Sequence, residues 1–369
     1  MNIFGQVNRA TNLYKKFEVY ISIITFSFGL IATFLTLTRV DMFIENFWIV
    51  INLLIVIFAI FIITLYENGA KLKNIEEIKR QNLNFYFTLL MQFAFGGLFS
   101  TFFVFYIRSS SLLDSWLFLL ILVILLVGNE IWKKHYERLT FQISALFISI
   151  YLFLIFLLPV VFHRLGADLF ILSGILGLIL IFIFTRLLRK FAIERFQDNH
   201  RNLKRSIIGI FIIMNIFYFT NIIPPIPLSL KDSGVYHQIT KISAGQYLAT
   251  GEKGSWQDYF KRFPAIHISA GGVVYAYSAI FSPIKFATEI VHQWQYYDET
   301  KEEWVNSSKI TLPIAGGREE GFRTYSIKQG LAPGFWRVKV QTARGQVLGK
   351  INFTVESPIT LPDLIEKSL

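Results

Sequence analysis

Asn215-Ile216-Phe217-Tyr218-Phe219-Thr220-Asn221-Ile222-Ile223-Pro224-Pro225-Ile226-Pro227 is the stretch at which this chain changes character. Up to Ile223 it is apolar enough for a helix inside a bilayer. The prolines that follow lack the N–H and cannot continue the spiral, so they end the helix. Beyond them the apolar period shortens from about 3.6 residues to 2, the repeat of a strand. Helices are therefore expected before this point and strands after it.

Upstream, a membrane crossing needs roughly 20 mostly apolar residues to cover about 30 Å of hydrocarbon. Seven segments meet that: Val19–Thr38, Phe47–Tyr66, Phe85–Tyr106, Leu113–Trp132, Phe141–Phe162, Leu169–Leu187 and Ile207–Ile223. Composition agrees, with 53% hydrophobic residues, 38 phenylalanines and 17% charged residues, where soluble domains carry about 25%. Val19–Thr38 is too long for a signal peptide and is followed by Arg39 and Asp41 rather than by a small-residue cleavage site, so it is expected to be retained.

The net charge of +11 is carried mostly by the apolar half. Lys and Arg cluster on alternate loops: Arg9, Lys15 and Lys16; Lys71, Lys73, Lys79 and Arg80; Lys133, Lys134 and Arg138; then seven between Arg186 and Arg205. The intervening loops hold only Arg39, Arg108 and Arg164. Cytoplasmic loops collect positive charge, so the N-terminus is expected in the cytoplasm of an inner (plasma) membrane and the chain after Pro227 outside it. The same membrane reading accounts for the basic balance without nucleic acid. Arg186–Arg205 is expected to be a loop that sets this topology; the other reading is a basic helix on an anionic leaflet.

Ionisable residues inside spans mark ion and proton paths, and here they are scarce: Asp114 and Asp168 fall at outer span ends and Glu130 near an inner one. Gln92, Asn129 and Asn215 are expected to bond between helices, and Gly96-Gly97 with Ser173, Gly174 and Gly177 to let helices close up. The absence of cysteine excludes disulfides, thiolate metal sites and a cysteine nucleophile.

Downstream, residues 224–233 read as a stiff linker, 234–356 as an all-β domain and 357–369 as a tail. Alternating runs occur at Gly234–Ile242, Gln246–Thr250, Ala265–Ser269, Val273–Ile280, Ile290–Tyr297, Trp304–Leu312, Phe322–Ile327, Phe335–Thr342 and Val347–Val355. Turn-forming residues separate them, at Asp298–Glu303, Gly316-Gly317, Pro333-Gly334 and Arg344-Gly345. Short strands at this spacing predict an antiparallel, immunoglobulin-like sandwich.

Between His292 and Phe353 the residues His292-Gln293-Trp294, Ile314-Ala315-Gly316-Gly317-Arg318-Glu319-Glu320-Gly321-Phe322, Pro333-Gly334-Phe335-Trp336-Arg337-Val338 and Gly345-Gln346-Val347-Leu348-Gly349 form a recognisable set. In these the chain resembles the bacterial domain of unknown function 2914. The resemblance implies a membrane-anchored protein with this domain at its C-terminal end. It implies no activity, cofactor or catalytic residue.

The candidate ligand-binding residues are Gly316, Gly317, Arg318 and Arg323, with Trp294 and Trp336. Glycines admit a close backbone approach and arginines grip carboxylate or phosphate through paired N–H donors. The plainer reading is a hairpin loop whose arginines pair with Glu319 or Glu320, and tryptophans that fill the core. His237, His267 and His292 lack the local spacing of a zinc site, so no metal or other cofactor is expected. No nucleophile elbow, phosphate loop or zincin motif is present, and no catalytic residue is assigned. The expected role is an envelope protein whose external domain binds a glycan or protein partner, with the bundle as anchor or signal relay. The alternative is a transporter or intramembrane enzyme in which the bundle is active.

Overall fold

A computed structural model describes residues 30–37, 42–67, 77–109, 111, 114–131, 135–136, 138–191, 193–243, 246–254, 261–269, 271–283, 287–316, 320–357 and 363–369. Seven helices precede eleven strands among them. The helices are α1 (30–36), α2 (Phe43–Glu67), α3 (Glu77–Arg108), α4 (Trp116–Ile131), α5 (Leu139–Phe162), α6 (Ala167–Phe191) and α7 (Ile193–Phe219). The chain divides into two compact units. One comprises Met1–Phe105, Ile121–Phe153 and Leu178–Ile208; the other comprises Tyr106–Leu120, Leu154–Gly177 and Gly209–Leu369.

Among the described residues, five helices are long and apolar enough to cross a membrane: Phe43–Tyr66, Tyr86–Arg108, Leu139–Phe162, Ala167–Phe191 and His200–Phe219. Most of the first expected span lies outside the described residues. The fourth is shorter than expected. The Asp114 and Ser115 N–H groups both turn back to Ser111 O, at 3.1 and 3.0 Å, so α4 starts only at Trp116. Its 16 described residues span about 24 Å, and residues 132–134 after it lie outside the described ones. Arg186–Arg205 is helix rather than loop. It contains neither glycine nor proline, and α6 runs through it to Phe191 before α7 opens at Ile193.

Within the first unit, small residues let polar side chains close on α3. A Cβ on Gly97 would stand 3.1 Å from Asn52 Oδ1 of α2, and one on Gly96 3.2 Å from Asn129 Nδ2 of α4. Asn129 Nδ2 donates to Gln92 O (3.2 Å), and Ser144 and Ser206 join α5 to α7 through their hydroxyls (2.7 Å). These are the interhelical bonds expected of scarce polar groups in an apolar bundle.

The second unit joins helix ends to the β-domain. Ser173 Oγ donates to Leu154 O (3.1 Å), and the Phe170 and Tyr218 rings stack at 3.8 Å. The strands are β1 (Ser229–Tyr236), β2 (Gln238–Ser243), β3 (Gln246–Glu252), β4 (Ala265–His267), β5 (Val273–Phe281), β6 (Ala287–Asp298), β7 (Glu303–Ala315), β8 (Phe322–Gln329), β9 (Gly334–Thr342), β10 (Val347–Glu356) and β11 (Leu364–Ser368). They form three sheets, ordered β1-β5-β8, β4-β10-β9-β6-β7 and β11-β3-β2. All pairs are antiparallel except β4 beside β10.

The mostly antiparallel domain is as expected, but it has three layers where an immunoglobulin-like sandwich has two. Successive side chains of a strand face opposite ways, and β5 is covered on both sides. Val274, Ala276 and Ile280 join Ile290, Trp294, Val338, Val340 and Phe353 in the main core. Tyr277 and Ala279 join Ile239, Ala249 and Leu369 in a second core. The domain also reaches further than 234–356. β1 starts at Ser229, paired to Phe281, and residues 364–368 pair with β3.

Candidate functional site

Of the six residues singled out from sequence, the two tryptophans belong to the core and Arg323 lies apart from them. Trp294 is fully buried and Trp336 is 5% exposed, both in the main core. Trp294 Nε1 donates to Ser326 Oγ (3.0 Å) and Trp336 Nε1 to Ala332 O (2.8 Å). Their rings turn into the protein, away from any ligand. Gly317 and Arg318 lie outside the described residues, and Gly316 sits at the end of β7. Arg323, on β8, pairs with Glu320 and hydrogen-bonds Tyr277. The glycine with a structural task in this loop is Gly321. Its φ of 94° suits a residue without Cβ, and a Cβ there would lie 2.8 Å from the Ile280 backbone nitrogen.

Two of the three histidines come together, on a carboxylate that was not singled out. Glu252, at the end of β3, meets His237 Nε2 (2.9 Å) through Oε1 and His267 Nδ1 (2.8 Å) through Oε2. The His267 N–H also donates to Oε1 (2.6 Å). Burial acts to raise this carboxyl, but the bonds from His267 and His237 outweigh it and hold Glu252 below its ordinary value. The cluster ties the β11-β3-β2 sheet to β4. No group of metal-ligating side chains with metal-site geometry occurs among the described residues. His292 lies elsewhere, fully buried between sheets. Its Nε2 meets Ser278 Oγ (2.8 Å) and its Nδ1 meets Ser326 Oγ (2.9 Å). A neutral ring has one donor and one acceptor nitrogen, and each serine can supply the complement. Burial pushes its pKa down to about 4.

The arrangement with the most binding chemistry is the outer face of the five-stranded sheet. Along β9 the inward residues are Trp336, Val338 and Val340, so Arg337, Lys339 and Gln341 face outward. Register then sets Lys350 of β10, Lys339 of β9, Gln293 of β6 and Lys309 of β7 in one row across four strands. The adjoining row is Asn352, Arg337, Gln295 and Asn306.

Amide side chains link the rows into one network. Gln341 Nε2 donates to Gln293 Oε1 (2.9 Å), and both Gln293 and Gln295 donate to Asn306 Oδ1. Arg337 Nε donates to Gln295 Oε1 (2.6 Å), with its guanidinium 4.1 Å from the centroid of the Trp304 ring. Lys350 Nζ pairs with Asp114 Oδ1 at 2.8 Å, and Ser111 Oγ holds the other oxygen at 2.6 Å.

Lys339 is different. It is half-buried, stands opposite Lys350, and has no carboxylate within ion-pair distance among the described residues. Burial pushes its ammonium below the usual lysine value; the charges of Arg337 and Lys350 add to this, and Asp114 only partly offsets them. Like charges directly opposite across strands are destabilising. The face thus carries Arg337, Lys339, Lys350 and Lys309 in two adjoining rows, with Asp114 paired to Lys350.

Sequence reasoning missed these residues. The alternation of Phe335–Gln341 shows which of them face outward. Nothing local shows that Lys350 and Lys309 fall in register with Lys339.

Residues 287–355 match the family model described as Protein of unknown function (DUF2914). The matched segment carries β6 to β10 and with them both polar rows. No curated protein matches the chain in sequence. One solved structure, Pseudomonas fluorescens alkylpurine DNA glycosylase AlkC bound to DNA containing an abasic site analog, aligns at 10% identity over 85% of this chain and 99% of that one, with a TM-score of 0.23. A superposition that loose carries no inference about fold or function.

Proposed function

We propose that this is a membrane protein of the cell envelope whose β-domain binds an anionic glycan on the outer face of the five-stranded sheet, with the helices as anchor or relay. The observation that carries the reading is Lys339, a half-buried cation placed opposite another cation and left without a carboxylate partner among the described residues. A bound carboxylate or phosphate group would neutralise it. Asn306 and Lys309, the exposed members of the two rows, are open to the hydroxyls and acidic groups of a sugar chain. The skewed distribution of Lys and Arg in the loops supports an external position for this domain.

The test uses the full chain in detergent, with acidic and neutral polysaccharides as ligands. Wild type is expected to bind the acidic polymer with strong salt dependence and the neutral one weakly. Lys339→Gln should lower that affinity at least tenfold while leaving the melting temperature equal or higher, because a like-charge pair is removed. Equal binding of both polymers, or unaltered binding by the variant, overturns the reading. Binding of an acidic protein segment in place of any polysaccharide would overturn the glycan assignment.

A further inference from the structure

The antiparallel hairpin of α6 and α7 encloses a cleft of about 740 Å³, entirely within the first unit and separate from the β-domain. Its wall is apolar, formed by Ile181, Phe182, Leu203 and Ile207. Its cations are Arg186, Arg189 and Lys190 from α6 and Lys204, next to Leu203, from α7. Arg189 and Lys190 follow Arg186 by three and four residues, on one side of their helix. From Ile181 to Lys190 the helix rises about 13 Å, so the cleft grades from hydrocarbon-like to strongly positive over that length.

None of the four cations makes an ion pair or hydrogen bond among the described residues. Ile208, beside the cleft's Ile207 in the same unit, is also exposed. Only 17% of the apolar stretch of α7 is buried, against 72% for α5. Much of the apolar surface of the hairpin is therefore exposed, and the cleft holds apolar and cationic side chains together.

We propose that this cleft is a binding site for a phospholipid with an anionic headgroup. The phosphate sits among Arg186, Arg189 and Lys204, and an acyl chain runs along Phe182 and Ile207. Guanidinium groups take phosphate oxygens through paired donors. Basic pockets between membrane helices suit anionic headgroups. A free phosphate shares the headgroup chemistry but would leave the apolar wall uncovered, and that wall selects the lipid.

The proposal rests on the helices lying in a bilayer, which alkaline carbonate extraction checks separately: release of the protein would remove that premise. The binding test takes the full chain from detergent into nanodiscs of phosphatidylglycerol or phosphatidylcholine. Native mass spectrometry then follows the lipid retained after detergent exchange. Wild type should hold phosphatidylglycerol and lose phosphatidylcholine. The triple variant R186Q/R189Q/K204Q should lose retention by roughly fivefold per cation removed. R201Q/R205Q, which removes two cations of α7 outside the cleft, should retain lipid as wild type does. Phe182→Ala removes apolar wall at an exposed position without touching charge or core, and should also weaken retention. Excess glycerol phosphate should fail to displace the lipid. Equal retention by the triple variant and the R201Q/R205Q control overturns the site, and so does indifference to headgroup. Displacement by glycerol phosphate would show a soluble phosphate site instead.

Discussion

At the scale of single residues, His292 is the position whose chemistry makes the sharpest demand. Folding buries it and lowers its pKa from 6.5 to about 4, so the folded domain favours the neutral ring. The sign follows from linkage: the unfolded chain binds the proton first, so stability is complete above pH 6.5 and declines between 6.5 and about 4. Below that range both states are protonated and the loss is saturated, at about 3 kcal/mol for a shift of this size. Chemical denaturation of wild type and His292→Asn at several pH values should show this slope in wild type alone. A slope that survives the substitution would mean other groups produce it. The sequence marks His292 only as a histidine on a strand. Whether it joins His237 and His267 depends on strand register, which is set across the sheet by residues far away in the chain. The same limit hid Lys339, whose outward direction is legible and whose cationic neighbours are not.

At the scale of elements, the helices and the longer strands were legible because their periods are strong: β5 to β10 fall within a few residues of their expected runs. The edges were not. β1 begins inside the expected linker, and β11, Leu364-Ile365-Glu366-Lys367-Ser368, is too short and polar to announce itself. It forms because β3 offers it a ladder, from Leu364 opposite Glu252 to Ser368 opposite Leu248. That sheet is held to β4 by Glu252. Glu252→Gln removes the negative charge that His237, His267 and the His267 N–H converge on, each such bond contributing about 1–3 kcal/mol. Hydrogen exchange at pH 7 should quicken about tenfold or more in β2, β3 and β11 and stay unaltered in β9 and β10. Because the Glu252 pKa is lowered in the folded state, its contribution is present above pH 4.5 and fades as acid protonates it. If exchange rises equally in all strands, Glu252 supports the whole domain and not one sheet.

At the scale of the whole molecule, the transition from helices to strands at Pro224 and the mostly antiparallel domain were legible in the sequence. Arg186–Arg205 reads first as a topology-setting loop, with a basic helix as the other reading; with no glycine or proline to break it, the stretch is carried by α6 and α7. The orientation proposed from the loop charges has a direct check. Alkaline phosphatase fused after Pro227 should be active and a fusion after Arg80 inactive; the reverse pattern would invert the protein.

The strand β5 has a consequence for how this sequence can change over time. Most strands of a layered protein have one face on which substitutions drift freely. Val273–Phe281 lies between two cores and has no such face along Val274–Ile280. Each substitution there must suit the tyrosine-lined layer or the tryptophan-lined one, and with the backbone fixed between them neither side can shift to make room. Related sequences should therefore diverge around this strand, in the outer rows and the loops, long before they diverge within it.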